Sequence, residues 1–165
     1  MTVLKKNIKL LITLFILLWL SFHFNFAYAA ASNGGDKDEV SLYKAGKKLV
    51  LRAKKLEKKD KVEKAQKLYL KALDKFEKAY IEDKKNADLL NYFGYALRKT
   101  GDFEKAEVYY LKGLELDSGH LGINEYLGEL YVQTGRIELA KERLQVLDGC
   151  KCEEYDELKK LIEEN

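Results

Sequence analysis

From Asp38 to the C-terminus, apolar residues return every three to four positions. Leu49, Ala53 and Leu56 fall on one helical face, and Val62, Ala65, Leu68, Tyr69, Ala72, Leu73, Phe76, Ala79 and Tyr80 continue it. The intervening LEKKDK holds neither glycine nor proline, so the stretch predicts one long helix or two helices meeting at a tight turn near Lys59 to Lys61, the turn being preferred. The chain has no proline at all, which predicts helix almost throughout. The N-terminus reads differently. Lys5, Lys6 and Lys9 precede an unbroken apolar run from Leu10 to Leu20, and Ala27-Tyr28-Ala29 follows as a small-x-small site. The run has the length of a secretory leader and is short for a bilayer span, so cleavage after Ala29 is expected. An uncleaved anchor is the alternative, because no Asp, Glu, Lys or Arg occurs from Leu10 until Asp36. Residues 30–37 (AASNGGDK) read as a flexible tether.

A second periodicity lies over the first. Gly94 and Gly128, Gly101 and Gly135, and Ala106 and Ala140 are each 34 residues apart. Self-similarity at that spacing predicts stacked helix pairs. Gly94 and Gly128 are expected where the two helices of a pair cross and a missing side chain allows close approach, with Ala106 and Ala140 doing the same from the second helix. Gly101 and Gly135 are expected to end the first helices in the left-handed conformation, and Asp102 to cap the helix that follows. In Glu153 to Glu164, Tyr155, Leu158 and Ile162 share one side and the remainder is charged, as a final capping helix requires.

The spacing resembles the tetratricopeptide repeat. A repeat starting at Ala87 supplies Leu90, Phe93, Gly94, Leu97, Ala106, Tyr110 and Gly113; the next, starting at Leu121, supplies Asn124, Leu127, Gly128, Tyr131, Ala140, Leu144 and Leu147. Leu90 and Asn124 stand where the family has Trp, and Ser118 where it has Pro. One period earlier, Ala72, Phe76 and Ala79 align with Ala106, Tyr110 and Gly113, while Lys59 and Asp60 replace the Leu-Gly of the first helix. The expected fold is all-α, an α-solenoid of stacked antiparallel helix pairs with a C-terminal capping helix. Its parts would be a degenerate repeat at 38–86, repeats at 87–120 and 121–148, and a Cys-x-Cys linker with the cap at 149–165. Cys152, Glu153, Glu154, Tyr155, Leu158 and Lys159 are also similar in order to the end of short secreted proteobacterial repeat proteins, which implies a periplasmic location.

Such a fold lines an inner groove with the first helix of each pair. The repeat pattern assigns Asp88, Asn91, Tyr95, Arg98 and Lys99 to it, then Glu125, Glu129, Val132 and Gln133. Asn91 could pair with peptide backbone, Tyr95 offer a flat contact and Arg98 grip a carboxylate. The implied role is an interaction module for another protein or peptide of the cell envelope.

Charge and chemistry narrow this further. Without residues 1–29 the chain has 27 basic and 27 acidic side chains, and with the signs interspersed no nucleic acid is expected as a partner. A membrane is expected as a partner only if the leader is retained. His120 is the one histidine after the leader, no Gly-rich phosphate loop occurs, and no serine has a base beside it, so no catalytic residue and no cofactor is expected. Cys150 and Cys152 are the only cysteines. An exported chain would bridge them, although an unpaired thiol or a soft-metal site stays open. A thiol- or metal-handling protein built on that pair is the alternative to the interaction module, although no zinc-type ligand set accompanies the pair.

Overall fold

The computed structural model describes residues 35–165. The expected leader and residues 30–34 of the expected tether lie outside them, and residues 35–37, expected as tether, are already helical. Seven helices follow in order: α1 (Gly35–Glu57), α2 (Val62–Glu82), α3 (Ala87–Thr100), α4 (Phe103–Leu116), α5 (Leu121–Gln133), α6 (Ile137–Val146) and α7 (Glu153–Glu163). There is no strand among the described residues, and none of their helices is long and apolar enough to cross a membrane. Helices α1 and α2, α3 and α4, and α5 and α6 pack as successive pairs, and α7 closes the stack against α5 and α6. The fold is an all-α solenoid.

Local chemistry sets the ends of the helices. Asn86 Oδ1 accepts from the Leu89 N–H at 2.9 Å, Asp102 Oδ1 from Lys105 at 3.3 Å and His120 Nδ1 from Ile123 at 3.2 Å, each satisfying a donor with no partner inside the helix. Gly101 and Gly135 take φ of 90° and 73° after α3 and α5, in the left-handed region expected of them.

The first pair also bends at the expected turn, but there Asp60 carries the left-handed backbone, at φ 54°. Counting from this residue explains the lost period. Gly46 lies 14 residues before Asp60, whereas Gly94 lies 7 before Gly101; Phe76 lies 16 after Asp60, whereas Tyr110 lies 9 after Gly101. Each helix of the first pair is therefore extended by 7 residues, about two helical turns, which returns the same face to the same neighbour. Gly46 sits against the Phe76 ring as Gly94 sits against Tyr110, where a Cβ would meet ring carbon at 2.6 Å. The first pair thus has its crossing glycine, and the expectation that Lys59 and Asp60 had replaced it is corrected. In both pairs an aromatic ring, rather than backbone, fills the space.

The third pair departs in another way. A Cβ at Gly128 would meet Leu158 of α7 at 2.5 Å, so the close neighbour comes from the cap and not from α6. Helix α6 is only 10 residues long against 14 for α4, and its Leu144 is half-buried. Beyond it Gly149 (φ 83°) and Lys151 (φ 50°) turn the chain back, and α7 lies over α5. Cys150 and Cys152 are bonded to one another across this turn, with Cα atoms 5.2 Å apart, inside the range a bridge spans.

Fully buried alanines (Ala53, Ala65, Ala72, Ala79, Ala96, Ala106 and Ala140) let the helices approach closely, and Tyr69, Phe76 and Tyr110, equally buried, fill the layers between them. Phe93 stacks on Tyr109 with ring centroids 4.1 Å apart, and Tyr80 meets Tyr109 edge-on at 5.3 Å, joining the first pair to the second.

Candidate functional site

A cleft of about 420 Å³ opens between α3, the turn before α5, α5 itself and the start of α7. Helix α3 contributes Asp88, Asn91 and Tyr92; the turn contributes Asp117 and His120; α5 contributes Gly122, Glu125 and Tyr126; and α7 contributes Glu154. Asp88 and Gly122, Asn91 and Glu125, and Tyr92 and Tyr126 are all pairs 34 residues apart, so the repeat itself builds the two walls.

The lining is rich in acceptors. Asn91 is 5% exposed and its Oδ1 has no hydrogen-bond partner. Its amide lies over Gly122, where a Cβ would come 2.8 Å from Nδ2, so the glycine leaves the amide its room. His120 accepts at Nδ1 from the Ile123 N–H, which leaves its proton on Nε2, 3.4 Å from Asp88 Oδ1. Glu125 is buried at 4% exposure. Burial, then a hydrogen bond with Glu157 and the neighbouring charge of Glu129, push its carboxyl up to about 9, with Lys54 opposing. Oxygens of Glu125, Glu129 and Glu157 lie within 4.8 Å of one another. Such oxygens suit a hard divalent cation. Here Arg98 already pairs with Glu129, and Glu125 relieves the crowding by holding a proton.

Beneath the cleft the side chains are committed to one another. Arg98, 5% exposed, pairs with Glu129 and donates from Nη1 to Gln133 Oε1 at 3.0 Å, while its Nε finds no acceptor. Tyr95, also 5% exposed, lies between Tyr69 and Tyr126, with ring centroids 6.0 and 4.7 Å away. Lys54 of α1 donates to the Tyr126 hydroxyl at 3.1 Å and lies 5.2 Å from the Tyr95 ring centre. Burial raises the Tyr95 phenol to about 12.

The residues assigned to one groove therefore fall into three groups. Asp88, Asn91 and Glu125 line the cleft. Tyr95, Arg98 and Val132 are buried, and Arg98 grips a carboxylate of its own chain. Lys99 pairs with Glu57 of α1 at 2.9 Å, Glu129 is taken by Arg98, and Gln133 is exposed. Sequence reasoning missed Tyr92, Tyr126 and Gly122, although the 34-residue spacing that identified Gly94 and Gly128 carries them as well. It also missed Glu154, whose approach depends on α7 folding back.

With two walls of the cleft built by repeat-related positions on stacked pairs, the architecture is that of a tetratricopeptide-type solenoid. Residues 87–120, spanning α3, α4 and the following turn, match the tetratricopeptide repeat family. Solved structures agree in fold. A tetratricopeptide repeat protein from Parabacteroides merdae is 16% identical with a TM-score of 0.53, over 73% of this chain and 59% of that one; this chain thus spans less than two thirds of its length. The first repeat domain of Spaghetti (RPAP3), bound to the HSP90 peptide SRMEEVD, is 20% identical with a TM-score of 0.52, over 73% of this chain and 93% of that one. The type III secretion translocator chaperone SycD of Yersinia enterocolitica is 17% identical with a TM-score of 0.50, over 72% of this chain and 81% of that one. No curated protein sequence matches this one.

Proposed function

We propose that the protein is a non-catalytic interaction module of the bacterial cell envelope, and that the cleft between α3, α5 and α7 takes a partner segment carrying a lysine or arginine. The observation that carries this is the lining itself: the carboxylates of Asp88, Asp117 and Glu154 share one cleft with the protonated carboxyl of Glu125 and the unpartnered Asn91 amide oxygen, with Tyr92 and Tyr126 beside them. Carboxylates and an amide oxygen accept from a cationic head, and the rings pack against its aliphatic stem. The Spaghetti domain of similar fold holds a peptide, which supports a peptide ligand here. That peptide ends in Glu-Glu-Val-Asp, and such an acidic tail would be repelled by these carboxylates. The envelope location rests on the sequence of residues 1–29, and a purified chain beginning at Ala30 would agree with it.

The reading is tested by placing a photoreactive phenylalanine at position 92 and identifying crosslinked peptides in the producing cell, with and without Gly122→Leu. A Cβ at this position meets the end of the Asn91 side chain first and His120 Cε1 at ordinary contact distance, with no backbone in the way, so a leucine is expected to fill the cleft. Crosslinks to a basic segment that disappear with Gly122→Leu are expected. Crosslinks indifferent to the substitution, or directed to acidic segments, would overturn the reading. Substituting Tyr95 or Arg98 is a poor control, since both are buried. For the alternative role of Cys150 and Cys152, the bond between the two sulfurs leaves neither free to hold a metal in this state.

A further inference from the structure

The neutrality of residues 30–165 conceals a separation of charge. Residues 35–85, which comprise α1, α2 and the turn after them, hold 17 Lys and Arg against 10 Asp and Glu, and residues 86–165 hold 10 against 17. The expectation of interspersed signs is therefore corrected: the first pair carries a surplus of seven positive charges, the rest an equal negative one. On α1, Lys44, Lys47, Lys48, Leu51, Arg52 and Lys55 line a shallow trough. Among the described residues none of these cations makes an ion pair, and Leu51 between them is 45% exposed. At the other end, α7 has five acidic residues and two lysines, with Glu153, Glu154 and Asp156 in its first turn and Glu164 capping its end. The backbone of α1 lies against α2 and α3, with Lys54 alone reaching Tyr126 of α5, and that of α7 lies against α5 and α6, so each has a face left over and the two helices lie at opposite ends of the stack.

We infer that a second copy of this chain is the partner of the basic face, and that copies associate head to tail, the α1 trough of one against the α7 face of the next. The argument is charge complementarity. The chain itself displays the acidic helical surface that the trough would select, and opposite fields of this size steer encounter and fix orientation. Leu51 and the lysine stems supply the apolar contact beneath the charges. Because the two faces differ, each added copy leaves one of each sign free, and association is open-ended rather than closed at a dimer. This inference is independent of the cleft, and either can fail without the other.

Sedimentation velocity of the full chain tests it. At about 0.01 M salt, where charges act across roughly 30 Å, the weight-average mass should rise with protein concentration; at about 1 M salt, where they are screened beyond roughly 3 Å, it should fall back to the monomer. Two charge-reversed variants make the test specific: Lys44→Glu/Lys48→Glu/Arg52→Glu/Lys55→Glu and Asp156→Lys/Glu163→Lys/Glu164→Lys. Circular dichroism establishes that each is folded. Each alone should be monomeric at low salt, and an equimolar mixture should associate again. A native chain monomeric under all conditions, association indifferent to salt, or a mixture that stays monomeric would overturn the inference. Binding of the monomeric native chain to phosphatidylserine vesicles would overturn it too, in favour of a membrane surface for the basic face.

Discussion

Glu125 is a carboxyl that folding keeps protonated. Its ordinary value of 4.5 is raised to about 9, first by burial and then by Glu157. Between those values the unfolded chain releases a proton that the folded chain retains, so stability falls as pH rises through the window and is unaffected below it. Glu125→Gln keeps the shape and removes the titration. It is expected to stabilise the fold by about 1–3 kcal/mol at pH 8 and to leave it nearly unchanged at pH 4, as denaturant melts at the two pH values would show. Arg98 makes the opposite case. Arg98→Met leaves Glu129 without its cation beside Glu125 and Glu157, and a loss of about 3 kcal/mol is expected, largely restored in Arg98→Met/Glu129→Met; a double-mutant cycle measures the coupling. The burial of Arg98 and Tyr95 was not legible in the sequence. Both stand at inward positions of a first helix, which the repeat pattern reads as open. What covers Tyr95 is Lys54 and Tyr69, from a pair whose extra residues put it out of register with the pattern, while Arg98 lies against Tyr95 and Tyr126 and is held by Glu129.

At the scale of the helices, the fold was legible wherever one residue answers one backbone need. Gly101 and Gly135 announced the ends of α3 and α5 because left-handed backbone favours glycine. The end of α1 announced itself poorly, since Asp60 meets the same need at a cost. Asp60→Gly is accordingly expected to stabilise the protein by about 1 kcal/mol, read as a higher denaturant midpoint at unchanged slope. The place of α7 over Gly128 was not legible either, because it depends on how soon α6 stops. The bridge at its entrance contributes little by itself. The loop closed by Cys150 and Cys152 is so short that chain entropy assigns it only about 1–2 kcal/mol. Cys150→Ser/Cys152→Ser should thus lower the midpoint slightly and leave the helical circular-dichroism signal intact, with α7 still held through Leu158.

For the molecule as a whole, stacking makes each pair depend on its neighbours, and the end pairs depend on what caps them. Averaged over residues 30–165 the charge is nil, and its division between the first pair and the rest gives the solenoid an electrical direction; that division is plain in the residue order once the pairs are known. Leu158 matters at the same scale. It is fully buried, so Leu158→Ala is expected to cost about 2–5 kcal/mol, measured by thermal or denaturant unfolding, with the loss felt by α5 as much as by α7. Leu158 also stands 30 residues after Gly128, the position it packs against. As the chain emerges from the ribosome, α1 to α4 can assemble while synthesis continues, but α5 must wait for α7 to follow before its packing is complete. A nascent or clipped chain lacking α7 would present an open apolar seam beside Gly128 to chaperones and proteases, so this one helix decides whether the third pair is seen as folded.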